Sequence, residues 1–582
     1  MRSLLTRFDE NAARQPDKAA LVVADAAGQW QTVTYRQLWE RSQQLTRGLA
    51  SYQLRPGCRA VLMIPPSVDF FALAFALLRL GIVAVLVDPA IGLRNVTRCL
   101  AQAEPEIFLG SPLTHGLRIL FGWGKPSVSL NLSLSQIQRA SHKQPPDFQP
   151  PDSQRPDSQR PTLPDDGEMA VIFTSGSTGL PKGAIYTQAN FAAQVAMLEN
   201  TLHLAGDEVD LPAFPIFALI DCLLGVTAVI PDMRFPRPAR VDPRRIIPAI
   251  QSQQVDTLFA SPVVLARLAR YGAEKQETLP SLRRIITAGA PAPVAVMEQF
   301  SQLLSDEAEL WGVYGSTETL PVTLINGREI LSETRFLSEQ GAGVCIGRLV
   351  EGAEVRIVRI TDDPIPAWDE SLRLPDGQIG EIAVKGAAVT NGYVGKADYT
   401  RLSKIRDTDG QIIHRMGDVG YFDRQGRLWY CGRKSHRVIL TDSKIERGRR
   451  GLGRFTRIKS AQSAFPSSFL SVPPGISPDG ETLYTEPIEG FFNAHPLVYR
   501  SALVGVERAG RVQPVLWVEL QPSAKRADKS RLRAELLQVA ANNPATQRIQ
   551  TILFHPDFPT DVRHNSKIIR EKLASQAQGK LA

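Results

Sequence analysis

One ten-residue stretch constrains the fold of this chain more than any other: Thr-Ser-Gly-Ser-Thr-Gly-Leu-Pro-Lys-Gly, from Thr174 to Gly183. Its glycines let backbone N–H groups approach an anion closely, and its hydroxyls add donors that can also face a metal ion. One lysine adds a positive charge. The stretch therefore predicts a phosphate-binding loop. Its candidate contacts are Thr174, which is also a candidate metal ligand, and Ser175, Gly176, Ser177, Thr178, Gly179 and Lys182.

Two other interpretations of this loop fit the residues less well. A Walker A loop needs Gly directly before its Lys, and Pro181 occupies that position. A flexible surface linker seldom carries Pro-Lys-Gly between a strand and a helix. The apolar run Met169 to Phe173 predicts a strand before the loop, and Asn190 to Leu198 predicts a helix after it. We therefore expect the loop at the carboxyl end of a strand, within an α/β unit.

The first 106 residues alternate strand-like and helix-like stretches, such as a strand at Ala19 to Val23 and an amphipathic helix at Tyr35 to Tyr52. This alternation predicts a mostly parallel sheet covered by helices. Two later predicted strands end at Ala288 and at Tyr314, with small or polar residues at their tips. Strand ends of a doubly wound sheet converge on one crevice, so we expect them to meet the phosphate loop there.

Composition places the chain among ordinary globular proteins. Its 582 residues are enough for about three or four folding units. The five cysteines lie far apart, which argues against a disulfide framework or a zinc site and favours a reducing compartment. Residues 1 to 21 carry charges throughout, so no signal peptide is predicted. The most apolar segment, Phe70 to Val87, is interrupted by Arg79 and Gly81, which favours a core helix and strand over a membrane span. We therefore expect a cytoplasmic protein.

The formal net charge of +8 is concentrated in one segment. Thr441 to Ser460 carry seven basic and two acidic side chains, a surplus of five out of the eight. The remainder of the chain is close to neutral, so the charge does not predict a nucleic-acid partner. The basic segment is expected to be a mobile loop, and the alternative is an electrostatic patch for an acidic partner, a pathway enzyme or a membrane surface.

Two further regions depart from the α/β pattern. Residues 142 to 166 are rich in Pro, Gln, Ser and Asp and contain the repeat Pro-Asp-Ser-Gln-Arg, which predicts an exposed, disordered loop or a partner-docking extended segment. Residues Gly341 to Asp423 contain short β-like runs with frequent Gly and Pro, which predict a small barrel-like β subdomain. Gly341, Gly343 and Gly347 do not form a dinucleotide-binding motif, because their spacing is wrong and no helix follows.

Together these motifs resemble the adenylate-forming enzymes, the family of acyl-CoA synthetases, luciferases and peptide-synthetase adenylation domains. The resemblance covers nearly the whole chain and rests on five motifs in the family's order. It implies an ATP- and Mg²⁺-dependent enzyme whose phosphate loop is the stretch described above, with Lys182 among the catalytic residues. In Tyr-Gly-Ser-Thr-Glu, it implies that Tyr314 stacks on adenine, Thr317 touches the α-phosphate and Glu318 holds Mg²⁺.

The resemblance assigns the remaining nucleotide contacts as well. It places Gly289, Ala290 and Pro291 against the adenine. It places Asp418, in Met-Gly-Asp-Val-Gly-Tyr, and Arg433, in Tyr-Cys-Gly-Arg, on the ribose hydroxyls. Lys567, in Ser-Lys-Ile-Ile-Arg, matches the carboxy-terminal catalytic lysine. A carboxylate that attacks the α-phosphorus of ATP brings two anions together, so cations and fixed donors are needed where charge builds up.

Within the family, the chain is most similar to the branch that forms β-lactones in bacterial long-chain olefin biosynthesis. The similarity rests on Val87 to Arg94, Asp210 to Leu219, Cys431 to Val438 and Arg563 to Lys567, where Ser566 replaces the usual Gly. It implies that ATP activates a long-chain 3-hydroxy fatty acid, whose hydroxyl then displaces AMP to close the lactone ring. Phe217 and Leu219 are candidates for lining the substrate tunnel.

The same resemblance predicts the domain organisation. Residues 1–434 form a large adenylation domain of doubly wound mixed sheets with a β subdomain. Residues 435–582 form a small α+β lid that pivots at Lys434 to His436. The lid is interrupted by a basic insertion at 441–480, at the turn that helps to form the pantetheine tunnel of acyl-CoA synthetases. His436 and His564 are candidate bases for the hydroxyl proton, and the alternative for each is a structural role.

Two other functions remain open from the sequence. An acyl-CoA or acyl-carrier ligase would share the first half-reaction and use a thiol as acceptor. A non-catalytic nucleotide-binding scaffold would be a third possibility, although intact Lys182, Glu318, Asp418 and Lys567 argue against it.

Overall fold

The structure is a computed structural model that describes residues 3–25, 28–143, 166–174, 181–204, 206–233, 241–440, 475–477, 480–561 and 567–581. Most of the two segments predicted as a disordered loop (142–166) and a basic insertion (441–480) lies outside these residues. None of the described helices is both long enough and apolar enough to cross a membrane.

Helices and strands alternate through the described part of the chain up to residue 440. The helices are α1 (Leu4–Arg14), α2 (Tyr35–Ala50), α3 (Val68–Arg79), α4 (Leu93–Ala103), α5 (Pro112–Phe121), α6 (Leu134–Ser141), α7 (Gln188–Leu202), α8 (Ala218–Leu224), α9 (Pro243–Ser252), α10 (Pro262–Lys275), α11 (Val294–Ser301), α12 (Gly327–Glu329), α13 (Arg335–Glu339) and α14 (Ala397–Ser403). The strands are β1 (Ala19–Ala24), β2 (Trp30–Thr34), β3 (Arg59–Met63), β4 (Val83–Leu86), β5 (Ile107–Gly110), β6 (Leu130–Leu132), β7 (Glu168–Thr174), β8 (Lys182–Thr187), β9 (Val209–Pro212), β10 (Thr227–Ile230), β11 (Thr257–Ala260), β12 (Arg284–Ala288), β13 (Glu309–Ser316), β14 (Thr319–Asn326), β15 (Val344–Leu349), β16 (Glu354–Val358), β17 (Gly380–Lys385), β18 (Lys404–Arg406), β19 (Ile412–Phe422), β20 (Leu428–Arg433) and β21 (Val438–Ile439).

A smaller α+β unit follows. Its elements are β22 (Thr482–Leu483), α15 (Thr485–Asn493), β23 (Val498–Arg508), β24 (Arg511–Leu520), α16 (Lys529–Ala541), β25 (Thr551–Phe554) and α17 (Arg570–Leu581). Strands β23, β24 and β25 form a sheet, and β21 pairs with β22. Buried Leu503, Leu516 and Leu536 belong to a hydrophobic cluster that begins at Val438. The domain boundary at 434/435 stays a prediction.

Two sheets carry the larger part of the chain. In one, β6, β5, β3, β4, β7 and β8 are neighbours in that order. In the other, β13, β12, β11, β9, β10 and β1 form a run of parallel neighbours. This sheet continues through antiparallel β14 and β15 into β20, β19, β17 and β16. The α/β fold with mixed sheets and a β region is therefore confirmed, and the β region extends the large sheet.

One element near the phosphate loop differs from the sequence prediction. The residues after the loop form β8, which pairs antiparallel with β7 so that Lys182 lies opposite Thr174. The loop therefore joins two strands of a hairpin, and α7 begins only at Gln188. The six residues of β8 bury four positions without a clean alternation, so no strand period was visible in the sequence.

The start of α7 is fixed by a reciprocal cap. Thr187 Oγ1 accepts from the Asn190 N–H at 3.1 Å, and Asn190 Oδ1 accepts from the Thr187 N–H at 3.3 Å. The Asn190 amide also donates to the carbonyls of Ala387 and Val389 at 3.0 and 2.8 Å. The hairpin that carries Lys182 is thereby attached to the segment that leads to Tyr393.

Candidate active site

Two neighbouring strand ends bring the predicted adenine contacts together. Strands β12 and β13 are parallel, and their register sets Ala288 opposite Val313. Gly289, Ala290 and Pro291 follow Ala288 directly, so they lie beside Tyr314. Gly289 has a φ of 91°, a backbone conformation that side chains with a Cβ rarely adopt. The sheet register shows these two strand ends side by side, whereas their meeting with the phosphate loop at the end of β7, in the other sheet, stays a prediction.

A second cluster joins three strands through Asp418. The Tyr314 hydroxyl donates to Asp418 Oδ2 at 2.7 Å, and Arg433 Nη1 lies 2.9 Å from Asp418 Oδ1. Asp418 and Arg433 face each other across β19 and β20. The negative charge of Asp418 is the largest influence on Arg433 and raises the pKa of its guanidinium, so Arg433 is charged at any physiological pH.

Asp418 retains an unused acceptor. Its side chain is buried, yet within the described residues Oδ1 has no hydrogen bond, because the nearby Arg433 N–H is not aligned with it. Buried polar atoms normally have a partner. Oδ1 therefore fits a ligand that brings a hydroxyl donor, as a ribose does.

Glu318 is buried beside this cluster. Its Oε1 accepts from the Tyr393 hydroxyl at 2.5 Å, and its backbone N–H donates to Ser316 Oγ at 3.2 Å. The Glu318 carbonyl accepts from the Thr390 N–H at 2.9 Å. Both the backbone and the carboxylate of Glu318 are thus fixed before any ligand binds.

Neighbouring basic and hydroxyl groups keep Glu318 ionised despite its burial. Burial raises its pKa, but His414, the Tyr393 hydroxyl and Lys404 outweigh burial and lower the pKa to about 2. Burial also lowers the pKa of His414 to about 3, so its imidazole is neutral near pH 7. Near pH 7 the Tyr393 hydroxyl is therefore the main group that stabilises the charge of Glu318, and Lys404 is a nearby basic group. Its ammonium donates to the Thr390 carbonyl, and burial lowers its pKa to about 7.

Lys182 lies on the other side of Tyr393. Its Nζ is 4.3 Å from the Tyr399 ring centroid and 5.7 Å from that of Tyr393, within cation–π range. Burial lowers the pKa of Lys182, and Glu318 opposes this shift. The neighbouring Tyr186 hydroxyl donates to the Thr317 carbonyl, so β8 also supports the Thr317–Glu318 turn.

Part of the predicted phosphate loop lies outside the residues that the structure describes. The side chain of Thr174 and residues 175–180 are not described, and neither is His564. Their predicted roles stay predictions.

Lys567 stands just before the last helix, and its side chain is exposed. Its backbone is held by Asp561, whose N–H donates to the Lys567 carbonyl at 3.0 Å and whose Oδ1 accepts from the Lys567 N–H at 3.3 Å. Four residues later, Glu571 lies 3.7 Å from His436 in the predicted hinge. Glu571 is therefore the partner of the candidate base His436.

An apolar cavity of about 30 Å³ lies between α7, α8 and the sheet. Phe217 lines it and packs against Phe259 at a centroid distance of 4.2 Å, whereas Leu219 packs into the neighbouring core. Val313 and Leu320 line the cavity next to the adenine cluster and the Glu318 turn. The cavity also contains Asp210 and Asp221, which we call the carboxyl pair.

The carboxyl pair gives a testable pH dependence of stability. Burial raises the pKa of Asp210 from its ordinary 3.8 to about 8, and burial with the charge of Asp210 raises that of Asp221 further. The folded protein thus keeps a proton that the unfolded chain loses above pH 4, and stability falls as pH rises toward 8. We expect Asp221→Asn, compared with the wild type, to gain roughly 1 kcal/mol or more of stability between pH 5 and pH 8.

Urea denaturation at the two pH values measures this gain. The exposed Asp207, three residues before Asp210, provides the control Asp207→Asn, which we expect to show no such gain. An equal stability difference at both pH values would contradict the assignment of a retained proton.

Sequence reasoning missed Tyr393, Lys404, His414 and the carboxyl pair. Asp210 begins the Asp210 to Leu219 stretch of the family resemblance, and Asp221 is the lone charge in the apolar stretch that follows. The sequence carries little signal for Lys404 and His414, because their strands, Lys404 to Arg406 and Ile412 to Phe422, contain several ionisable residues and only the fold shows which of them are buried.

Comparison with known proteins decides the family. The model of the family described as AMP-binding enzyme matches residues 8–394, about two thirds of the chain. The chain belongs to this AMP-binding enzyme family. It is 39% identical to the olefin beta-lactone synthetase of Stenotrophomonas maltophilia (strain K279a) over 602 residues, covering 100% of this chain and 98% of that relative. It is 40% identical to the Xanthomonas campestris pv. campestris olefin beta-lactone synthetase over 557 residues, covering 93% and 90%.

Solved structures of family members share the fold. ATP-bound MatB from Rhodopseudomonas palustris aligns with a TM-score of 0.73 at 20% identity, covering 100% of this chain and 99% of that chain. The o-succinylbenzoate CoA synthetase MenE from Bacillus subtilis, in complex with its acyl-adenylate intermediate, aligns with a TM-score of 0.70 at 19% identity, covering 98% of both chains. The protein is therefore an AMP-forming ligase or synthetase.

Proposed function

We propose that this AMP-binding enzyme activates a long-chain 3-hydroxy fatty acid with ATP and then closes a β-lactone. In the first step the carboxylate oxygen attacks the α-phosphorus, the bond to the β-phosphate breaks, and diphosphate leaves. In the second step the 3-hydroxyl oxygen attacks the acyl carbon, a base takes the hydroxyl proton, and AMP leaves. The observation that carries the adenylation step is the contact of Tyr314, Asp418 and Arg433 beside Glu318.

The described residues fit the nucleotide at separate points. The unused Asp418 oxygen fits a ribose hydroxyl, and Arg433 holds Asp418 in place. Tyr314 and Gly289 to Pro291 provide the adenine site. Fixing the two ends of the nucleotide holds the α-phosphorus in line with the carboxylate. Thr317, the loop donors and Lys182 would stabilise the negative charge that develops on the phosphates.

Glu318 and Thr174 would hold Mg²⁺. The carboxylate of Glu318 stays ionised across the physiological range, and Mg²⁺ in nucleotide sites commonly uses one or two carboxylates together with the phosphates. When bound, Mg²⁺ supplies positive charge to the phosphate oxygens. Tyr393 would fix the orientation of Glu318 toward it.

The lactone step is proposed from the two olefin beta-lactone synthetases that match nearly the whole chain. The second candidate is a thiol ligase, which is favoured by the likeness of the fold to CoA synthetases such as MenE. Incubation with ATP, Mg²⁺ and a 3-hydroxy fatty acid, with and without CoA, separates the two. A lactone and AMP formed without CoA support the proposal. A thioester formed only with CoA supports the ligase. If no AMP forms with or without CoA, both enzyme functions are contradicted and a nucleotide-binding scaffold is supported.

Asp418 provides a direct test of the nucleotide site. Asp418→Asn removes a charged acceptor, so we expect KM for ATP to rise about tenfold or more. The rate of diphosphate release measured against ATP concentration gives this value. The control is Asp398→Asn, because Asp398 is 83% exposed and pairs only with Arg401 among the contacts described here. An unchanged KM in Asp418→Asn would contradict the ribose assignment.

A further inference from the structure

Helix α5 has an outward face made only of apolar residues. The three most exposed large apolar side chains in the described part of the chain are Leu113, Ile119 and Leu120, which are 73%, 72% and 74% exposed. The other exposed positions of this helix are Pro112 and Gly116. Spacings of three and four residues place all five positions on one side of the helix, and we call this side the α5 face. A continuous apolar face in water marks an interaction surface.

No described residue covers the middle of the α5 face. A Cβ added at Gly116 would meet no atom within 4 Å. The helix is attached through its other side, where Leu117 and Phe121 pack against a core cluster that contains Trp123. Even so, α5 buries none of its residues completely. The helix is therefore held by its inner side and presents the α5 face outward.

The charged residues around the α5 face are mostly positive. The segment from Ile91 to Lys143 contains six Arg and Lys residues and only two acidic residues, Glu104 and Glu106. Glu106 is already paired with Arg55 at 2.8 Å. Helix α4 lies beside α5 and contains no acidic residue. Three positive residues are exposed on α4 or just after α5, and we call them the flanking cations: Arg94, Arg98 and Lys125.

The composition of the α5 face favours a lipid bilayer over a protein as its partner. Protein interfaces contain about one hydrogen bond per 100–200 Å², and their strongest contacts are enriched in aromatic residues and Arg. The five exposed positions of α5 have no side-chain donor or acceptor and no aromatic ring. A bilayer needs no hydrogen bonds from the apolar side chains that enter it, and anionic headgroups complement the flanking cations.

The size of the α5 face also argues against a second copy of the chain as the partner. The helix has 10 residues, and a helix of that length spans only about 15 Å. A stable dimer buries about 800 Å² on each partner, which is far more than one side of so short a helix supplies. A bilayer has no such minimum, because each apolar side chain that leaves water adds to binding.

We propose that the α5 face binds the surface of an anionic phospholipid bilayer. The exposed aliphatic side chains would enter the boundary between headgroups and acyl chains, and the flanking cations would contact lipid phosphates. A few side chains of each kind give weak, reversible binding, so both contributions are needed. The inference goes beyond the proposed function, because lipid binding involves no step of the chemistry. If the substrate is a long-chain acid, binding places the enzyme where such acids partition.

Sedimentation of the full chain with vesicles tests this inference. The vesicles contain either phosphatidylcholine alone or phosphatidylcholine with phosphatidylglycerol in roughly a 2:1 ratio. We expect the wild type to bind the anionic vesicles, and Leu113→Gln/Leu120→Gln to lower the partition coefficient by about tenfold or more. The matched control is Leu349→Gln/Leu402→Gln, which removes two exposed leucines from other parts of the surface and should bind as the wild type does.

A second variant isolates the charge contribution. Arg94→Gln/Arg98→Gln should lower binding to the anionic vesicles by about fivefold or more. Equal binding of the wild type and Leu113→Gln/Leu120→Gln would overturn the inference and assign the binding to basic residues elsewhere, such as Thr441 to Ser460. No binding of the wild type to anionic vesicles would also overturn it.

The test is independent of the proposed function. Leu113 and Leu120 lie outside the candidate active site, so Leu113→Gln/Leu120→Gln should form AMP at the wild-type rate in the absence of vesicles. That measurement also shows that the variant is folded. Loss of vesicle binding with normal AMP formation in this variant supports the inference. Absence of AMP formation in the wild type would contradict the proposed function and leave the lipid-binding result standing.

Discussion

Lys567→Ala is expected to lower the rate of acyl-adenylate formation by at least about a hundredfold, with ATP affinity nearly unchanged. The reason is electrostatic. The attack of a carboxylate on the α-phosphorus concentrates negative charge, and Lys567 is the cation that the lid would bring to it. The side chain is exposed and its backbone is held by Asp561, as suits a residue that is delivered to a site by a moving unit. Diphosphate release and equilibrium binding of ATP measure the two quantities.

A matched control lies on the helix that follows Lys567. Lys572 is exposed and five residues further on, so Lys572→Ala removes the same charge from the same unit. We expect it to retain the wild-type rate. A near-normal rate of diphosphate release in Lys567→Ala would refute the catalytic assignment, and an equal loss in both variants would point to the overall charge of the unit instead.

Arg415→Met is expected to destabilise the protein by about 3–5 kcal/mol, because it removes the nearer partner of a buried carboxylate and leaves it only Lys434 at 3.3 Å. Arg415 and Glu381 are each only 1% exposed, and Arg415 Nη2 lies 2.6 Å from Glu381 Oε2. The same guanidinium also donates to the carbonyls of Asp363 and Leu402 at 2.8 and 3.0 Å. The effect is large because this one side chain, in the strand that carries Asp418, satisfies several groups outside that strand.

Urea denaturation of the wild type, Arg415→Met and the double variant Glu381→Gln/Arg415→Met measures this effect. We expect the double variant to recover part of the lost stability, because the buried carboxylate is gone and Lys434 keeps its contacts with the Thr361 carbonyl and Asp362. Arg401→Met is the control, since Arg401 is 72% exposed and should change stability by less than about 0.5 kcal/mol. A loss as small as that of the control would show that Arg415 is not a structural centre of this region.

The fold could be predicted from the sequence because the motifs that indicate it are short and local. Ala288 and Tyr314 could be predicted to lie close together because each ends an apolar run and is followed by Gly or hydroxyl residues in the sequence. The parallel register of the two strands places them side by side. Strand β8 was missed because a six-residue strand with mixed burial has no period to detect. Its discovery changes the phosphate loop from a strand-to-helix connection to a hairpin.

The environment of Glu318 could not be predicted for a different reason. Tyr393, Lys404 and His414 lie 75 to 96 residues from it along the chain and reach it only through the pairing of β18 with β19 and the loop after β17. The carboxyl pair is a similar case, since Asp210 and Asp221 come from a strand and a helix that meet only in the folded core. The spacing of residues along the sequence indicates which of them are chemically suited to a site. Long-range packing decides which of them lie together in that site.

The junction between Arg433 and Lys434 has a mechanical consequence. These consecutive residues are tied to different strands: Arg433 to Asp418 on β19, and Lys434 to Glu381 on β17 at 3.3 Å and to the Thr361 carbonyl at 2.9 Å. The pivot of the proposed lid therefore begins one residue after Arg433, which with Asp418 forms the predicted ribose site. The pivot has contacts of its own, separate from those of that site. If the lid pivots at Lys434, the contacts of Lys434 would limit how far the motion displaces Asp418. The nucleotide would then stay bound while the lid turns.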